Sequence, residues 1–153
     1  MPEGTRTINI VDTSEVLLDK SMVPPVKVVF IYNHNPVVTH PDQNRMRRAL
    51  AQEDLFIAGA DVVMTDSMAY CDVVLPAASH FEFADIYGSY GHHYLQRAEP
   101  VIPRVGESLP NTEIFRRLAA RFGFDDQIFQ ETDAELMDAA FTDTDPRLGG
   151  INP

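Results

Sequence analysis

At 153 residues, 44% of them hydrophobic and 23% charged, the chain suits one domain, able to bury roughly 68–70% of the surface its unfolded form exposes. Its 12 basic and 23 acidic residues give a net charge of −11, which excludes a nucleic-acid binder of the phosphate-tracking kind, since that needs a basic footprint. A single cysteine, Cys71, excludes an internal disulfide, and no apolar run approaches the ~18 residues that span a membrane.

The N-terminus "MPEGTRTINI" carries no basic-then-apolar signal pattern, so the expected location is the cytoplasm, with any export signal lying outside this chain. Residues 1–24 read as an N-terminal arm. Asp12 and Glu15 have capping-box spacing ahead of "SEVLLDK", a short helix that Pro24-Pro25 ends. The segment 25–125 reads as an α/β domain, and 126–153 as a C-terminal helix and tail.

"VKVVFIY" (Val26 to Tyr32) is a β-branched and aromatic run, the mark of a strand buried on both faces. "NHNP" stops it with turn formers. "PDQNRMRRALAQ" predicts a helix with a proline near its first position and Met46, Ala49 and Leu50 on its inner face. "LFIAGA" is a second strand, "TDSMAY" one capped helical turn, and "DVVLP" a third strand. The order is βαβαβ, the unit of a Rossmann-like parallel sheet with flanking helices.

Beyond Glu82, "DIYGSYGHHYLQ" reads as a loop with a short strand near His93 to Arg97, and "VIPRVGES" as extended chain. A helix "NTEIFRRLAARF" follows, with Ser108 as its cap, Ile114, Leu118 and Phe122 on one face, and Gly123 just past its end. Thr132 and Glu135 form a capping box before "AELMDAAF", and Thr142 to Pro153 reads as weakly structured.

In open parallel sheets, ligands bind outside the carboxyl ends of the strands. Three segments meet that edge here: "NHNP", "ADVVMTDS" and "PAASHFE". Asn33, His34 and Asn35 supply amide and imidazole groups, or form a turn capped by its own asparagines. Asp61 can accept from a ribose or an amino-bearing base edge, or serve as a solvated strand-end acid. Thr65, Asp66 and Ser67 can cap the helical turn and present hydroxyls. Neither G-x-G-x-x-G nor G-x-x-x-x-G-K-[ST] occurs, so ordinary dinucleotide and P-loop readings lack their fingerprints. His80, Glu82, Asp85, His92 and His93 fall close together, but "HFE" and "HH" match no established ligand spacing. Ser79 and His80 are adjacent without a G-x-S-x-G.

The run "FIAGADVVMTDSMAYCDVVLPAASHFEFAD" resembles the molybdopterin oxidoreductase family, of the dimethyl-sulfoxide-reductase and formate-dehydrogenase type. Those enzymes carry a pattern like acid-x-x-x-T-D-T-A-x-x-A-D-V-V-L-P-A-x-x-x-x-E. Asp61, Thr65, Asp66, Asp72, Val73, Val74, Leu75, Pro76, Ala77 and Glu82 fit it. Ser67-Met68-Ala69 stands where threonine-alanine is usual, and Cys71 where alanine is usual. Upstream, "PPVKVVFIYNHNPVVTHPDQNRMRRALAQEDLF" is similar to the family's strand, N-x-N-P turn and proline-aspartate-started helix. Downstream, "YGSYGHHYLQRAEPVIPRVGESLPNTEIFRRLAARFGF" is similar to the segment that ends in G-E-x-x-x-N and a helix.

The resemblance implies a fragment covering the later of two similar α/β domains, each cradling one molybdopterin guanine dinucleotide around molybdenum or tungsten. It places Asn33, His34 and Asn35 against a phosphate or ribose and Asp61 at the guanosine end, with Thr65 and Ser67 beside it. Glu82, His92 and Gln96 would lie nearer the pterin. The family's iron–sulfur cysteines and metal-ligand segment are not in this sequence, so the remaining domains of a parent oxidoreductase are the expected partners. Two other classes stay in view: a stand-alone nucleotide-binding or regulatory module, and a small metal-dependent hydrolase using His80, Glu82 and His92.

Overall fold

The computed structural model describes residues 4–141, so the tail expected from Thr142 onward lies outside the described residues. The chain divides into two compact units, Met1–Pro76 and Ala77–Pro153.

The first unit is built on three parallel strands, β1 (Val28–Tyr32), β2 (Phe56–Asp61) and β3 (Val73–Pro76), in the order β1-β2-β3. Val29 pairs with Ile57, Ile31 with Gly59, and Gly59 with Val74, so these five residues share one face of the sheet. The helices pack on that face. Leu17 comes from α1 (Thr13–Leu18), Val37 from α2 (Pro36–Thr39), and Met46, Ala49 and Leu50 from α3 (Gln43–Leu50). With Ile31, Leu55, Ile57 and Met68 they form the core. The predicted inner face of α3 is therefore correct.

The expectation of strands buried on both faces holds best for the central strand, β2. Residues of the opposite face alternate with the core set and stay partly open, among them Val28 at 64%, Phe56 at 47% and Val73 at 43%. Ala60 is the buried exception. The helices of this unit supply one covering layer, and a parallel sheet needs two.

Local corrections follow from side-chain chemistry. The Asp12–Glu15 box does not form: a 3₁₀ turn, Ile10–Asp12, precedes α1, and Asn9 Oδ1 accepts from Val11 N instead. Asp42, with φ 54, is the cap of α3 and accepts from Arg45 N at 3.0 Å, so Pro41 lies before the cap rather than inside the helix. Pro36 opens α2, a helical turn inside the stretch read as a simple stop.

One glycine in this unit is required by packing. A Cβ on Gly59 would lie 2.5 Å from Met68 Sδ and 2.8 Å from Cys71 Sγ. Its absence lets the 3₁₀ turn Met68–Tyr70 settle directly on the central strand. At the start of β3, Asp72 clasps β2 twice: its N–H donates to Ile57 O at 2.8 Å, and its Oδ2 accepts from Ile57 N at 2.7 Å.

The second unit holds the antiparallel pair β4 (Asp85–Tyr87) and β5 (Gln96–Ala98), and the helices α4 (Asn111–Phe122) and α5 (Asp133–Ala139). Ser108 does not cap α4, whose N-cap position is Pro110. Ile114 and Ala119 are the buried residues of α4, while Phe122 is 72% exposed, so the predicted stripe turns away from the core at its last position. Gly123 ends the helix at φ 74, in the left-handed region, as its sequence position predicts. The Thr132–Glu135 capping box forms in both halves. Arg116 joins the two helices, donating to Glu131 O and Asp133 Oδ1, each at 2.7 Å.

Candidate functional site

The carboxyl ends of β1 and β2 bring together most of the polar residues expected at a ligand edge. Asn33 leaves β1 with φ 50, a left-handed conformation that asparagine tolerates better than most side chains. That turn places His34 and Asn35 before α2. From the segment after β2, Ser67 reaches across: its Oγ donates to Asn35 Oδ1 at 2.6 Å and accepts from Val37 N at 3.0 Å. Ser67 is fully buried. It lies beneath the edge, with its hydroxyl satisfied on both sides.

The bond fixes the Asn35 amide. Ser67 has one proton and gives it to Oδ1, so Nδ2 is the group that remains. Nδ2 meets no acceptor among the described residues. A half-buried amide held in one orientation, with two donors left over, is suited to a phosphate or sugar oxygen.

Asp61 ends β2. Its Oδ1 accepts from Val62 N at 2.8 Å, and its Oδ2 lies 3.4 Å from Thr65 Oγ1. Thr65 Oγ1 also lies 3.4 Å from Met68 N, at the start of the 3₁₀ turn. Asp61 therefore braces its own loop while staying half-exposed, with acceptor capacity to spare. A negative carboxylate fits N–H and O–H donors such as a guanine edge or ribose hydroxyls, and repels phosphate. Arg47 steadies the same loop, with Nη1 3.3 Å from Tyr70 Oη and Nη2 3.6 Å from Asp66.

His34 and His40 meet through their Nε2 atoms. Thr39 Oγ1 donates to Asn35 O at 2.9 Å and lies 3.4 Å from His34 Nε2. Burial, together with His34 as neighbour, holds His40 below the usual imidazole range. Nothing in the spacing of two histidines six residues apart across a proline turn announces that they meet, so His40 is not legible in the sequence.

The other three expected residues belong to the second unit. Glu82 is 8% exposed and accepts four hydrogen bonds. Its Oε2 takes Ser79 N at 2.7 Å and Ser79 Oγ at 2.6 Å, and its Oε1 takes Val105 N at 2.7 Å and Ser108 Oγ at 2.8 Å. The Ser79 bonds foremost, with those from Val105 and Ser108, pull its pKa down to about 2. All four lone-pair positions of this carboxylate are thus occupied, and it ties two loops together. His92 lies in the connection between β4 and β5, where its Nδ1 accepts from Tyr94 N at 3.2 Å. Gln96 opens β5 opposite Tyr87, and both His92 and Gln96 are exposed.

No three His, Cys, Asp or Glu side chains converge as a metal-binding group among the described residues. Cys71 is half-buried, its thiol pushed up by burial and by Asp72, and its Sγ lies 3.7 Å from Ser67 O.

The sequence profile described as "Molybdopterin oxidoreductase" matches residues 4–121. The chain belongs to the molybdopterin oxidoreductase family. It is 45% identical over 148 residues to the "Probable oxidoreductase YoaE" of Bacillus subtilis (strain 168), covering 96% of this chain and 22% of that protein. It is 33% identical to the "Trimethylamine-N-oxide reductase" of Vibrio vulnificus (strain YJ016), over 68% of this chain and 13% of that protein. It is 30% identical to the "F420-dependent formate dehydrogenase 2 subunit alpha" of Methanococcus maripaludis, over 74% and 16% respectively. The chain therefore spans about a fifth, or less, of the length of these relatives. Among solved structures, "Acetylene Hydratase from Pelobacter acetylenicus" shares the fold with a TM-score of 0.73 at 23% identity, covering 88% of this chain and 18% of that one. Family membership implies a molybdopterin cofactor with molybdenum or tungsten. No helix among the described residues is long and apolar enough to cross a membrane.

Proposed function

We propose that this chain is a cofactor-binding part of a molybdopterin-dependent oxidoreductase, and that the strand edge of its first unit holds the guanosine-diphosphate portion of a molybdopterin guanine dinucleotide. The observation that carries the reading is the Ser67–Asn35 bond, which leaves the Asn35 amide as an oriented donor beside Asn33 and His34. These three residues would take phosphate or ribose oxygens, and Asp61 would accept from the guanine edge, with Thr65 holding it. Ser67 acts through Asn35 rather than by touching the cofactor. The donor set fits such a group, since neutral amides and an imidazole suit phosphate, and a braced carboxylate suits a base with N–H donors.

Bound metal and pterin supply the electron transfer, coupled to an oxygen atom or a hydride equivalent. This chain's own residues bind and orient the nucleotide end. In the second unit, Glu82 holds its own loops together, and His92 and Gln96 are exposed polar groups. The partners are the remaining domains of the longer polypeptide, and any iron–sulfur cluster belongs there.

Calorimetric titration with guanosine diphosphate tests the reading. Binding to the native chain that is lost in Asp61→Asn, with adenosine diphosphate bound more weakly, is the expected result. Equal affinity in the native and Asp61→Asn chains would remove the guanine assignment.

A further inference from the structure

His40 lies outside the residues proposed to touch the nucleotide, yet its contact constrains one that does. His34 and His40 share one hydrogen bond between their Nε2 atoms. One nitrogen must carry the proton and the other must be bare. The surroundings decide which. Thr39 has a single hydroxyl proton, which goes to Asn35 O at 2.9 Å, so Thr39 does not donate to His34. His40 Nδ1 is fully buried and has no hydrogen-bond partner among the described residues.

If His34 donated, His40 would accept at Nε2 and carry its own proton on Nδ1, as a buried N–H with no acceptor. If His40 donates, Nδ1 is a bare lone pair. Orphaned buried N–H groups are the rarer and costlier case. The second arrangement therefore prevails: Nε2–H on His40, bare Nε2 on His34, and the His34 proton on Nδ1. His34 Nδ1 has no acceptor among the described residues.

We propose that His40 is a positioning residue that fixes His34 as a neutral imidazole donating through Nδ1–H to a phosphate or ribose oxygen of the bound nucleotide. The second half of this statement rests on the nucleotide-edge reading above; the tautomer assignment does not. His40 itself resists protonation, since a further proton on it would sit on its buried Nδ1, where no acceptor lies among the described residues. The group bearing electrostatically on His40 is His34 itself.

Long-range ¹H–¹⁵N spectra of the uniformly labelled chain at pH 7.5 read the tautomers directly, with His34→Gln and His40→Gln used for assignment. The expected result is Nδ1–H on His34 and Nε2–H on His40, with His40 titrating below an ordinary exposed histidine. An Nε2–H signal for His34, or ordinary titration of His40, overturns the proposal without any ligand being present.

Guanosine diphosphate binding is then compared in two variants. His40→Gln can still donate an amide N–H and does not titrate, and should bind within about twofold of the native chain. His40→Leu releases His34 and should lose about three- to tenfold, the scale of one hydrogen bond. Binding by His40→Leu equal to native overturns the positioning role and leaves the nucleotide edge intact. No binding by the native chain, with the tautomers as expected, overturns the nucleotide edge and the His34 donation together and leaves the His34–His40 polarity standing.

Discussion

Ser67 and Asn35, 32 positions apart, are joined by a 2.6 Å hydrogen bond, and the same serine oxygen accepts from Val37 N. This hydroxyl couples the loop after β2 to the turn after β1, the two segments that form the polar edge.

Ser67→Ala therefore has two expected effects. It leaves the buried Val37 N–H without an acceptor, which costs about 1–3 kcal/mol of stability. It also frees the Asn35 amide to turn, so on the proposed nucleotide edge guanosine diphosphate affinity is expected to fall. Ser67→Thr keeps the hydroxyl and should retain binding if the added methyl is accommodated. Urea denaturation with parallel calorimetry checks both; a stable Ser67→Ala with native affinity would show the bond to be incidental.

Gly59→Ala is expected to destabilise the first unit. The added Cβ meets Met68 Sδ at 2.5 Å and Cys71 Sγ at 2.8 Å, and Met68 is itself buried. Overpacking of this kind costs about 1–3 kcal/mol. Cys71→Ala removes one of the obstructing atoms, so in the Gly59→Ala background it should be less costly than in the native chain. Thermal unfolding of the four proteins in this cycle measures that coupling, and strict additivity would mean the turn simply shifts away.

These two cases show where sequence reasoning stops. The apolar runs and the order of turns made β1, α3, β2 and β3 legible, because strand and helix periodicity are local. The gathering of polar side chains at the carboxyl ends of β1 and β2 was legible as well, since that edge follows from the order of parallel strands. What was not legible were contacts between distant side chains. Nothing near Ser67 says that its hydroxyl points inward, and nothing near His34 names His40 as its partner. Ser108 has a cap's spacing yet bonds Glu82 instead. Asp12 and Glu15 match the box pattern and do not form it, whereas Thr132 and Glu135 match it and do. The pattern states what can form, and the surrounding chain decides between the alternatives.

Where the box does form, its energetic share can be measured. Thr132→Ala removes the acceptor for Glu135 N, at 3.2 Å, and should cost about 1 kcal/mol, the usual scale of a lost N-cap. Thr132→Ser should cost far less. A loss confined to α5 would show as faster amide exchange in residues 133–139, with the first unit unchanged, and equal protection in Thr132→Ala and the native chain would deny the cap any role.

Glu82 makes the stability of the second unit depend on pH. Its carboxylate accepts from two backbone N–H groups and two serine hydroxyls, which lowers its pKa from the ordinary 4.5 to about 2. The folded state thus binds this proton less readily than the unfolded one. The resulting stability is present above pH about 4.5 and is lost as the pH falls toward about 2. Glu82→Gln should abolish that part of the pH dependence. An amide also turns one of its two ends into a donor, facing either the N–H and hydroxyl of Ser79 or the N–H of Val105 and the hydroxyl of Ser108. The variant should therefore be less stable than the native chain at pH 7, with the difference narrowing at pH 3. Denaturation curves of both proteins from pH 7 to pH 2 test this directly, and parallel curves over the whole range would mean that the four bonds to Glu82 do not distinguish its charged form.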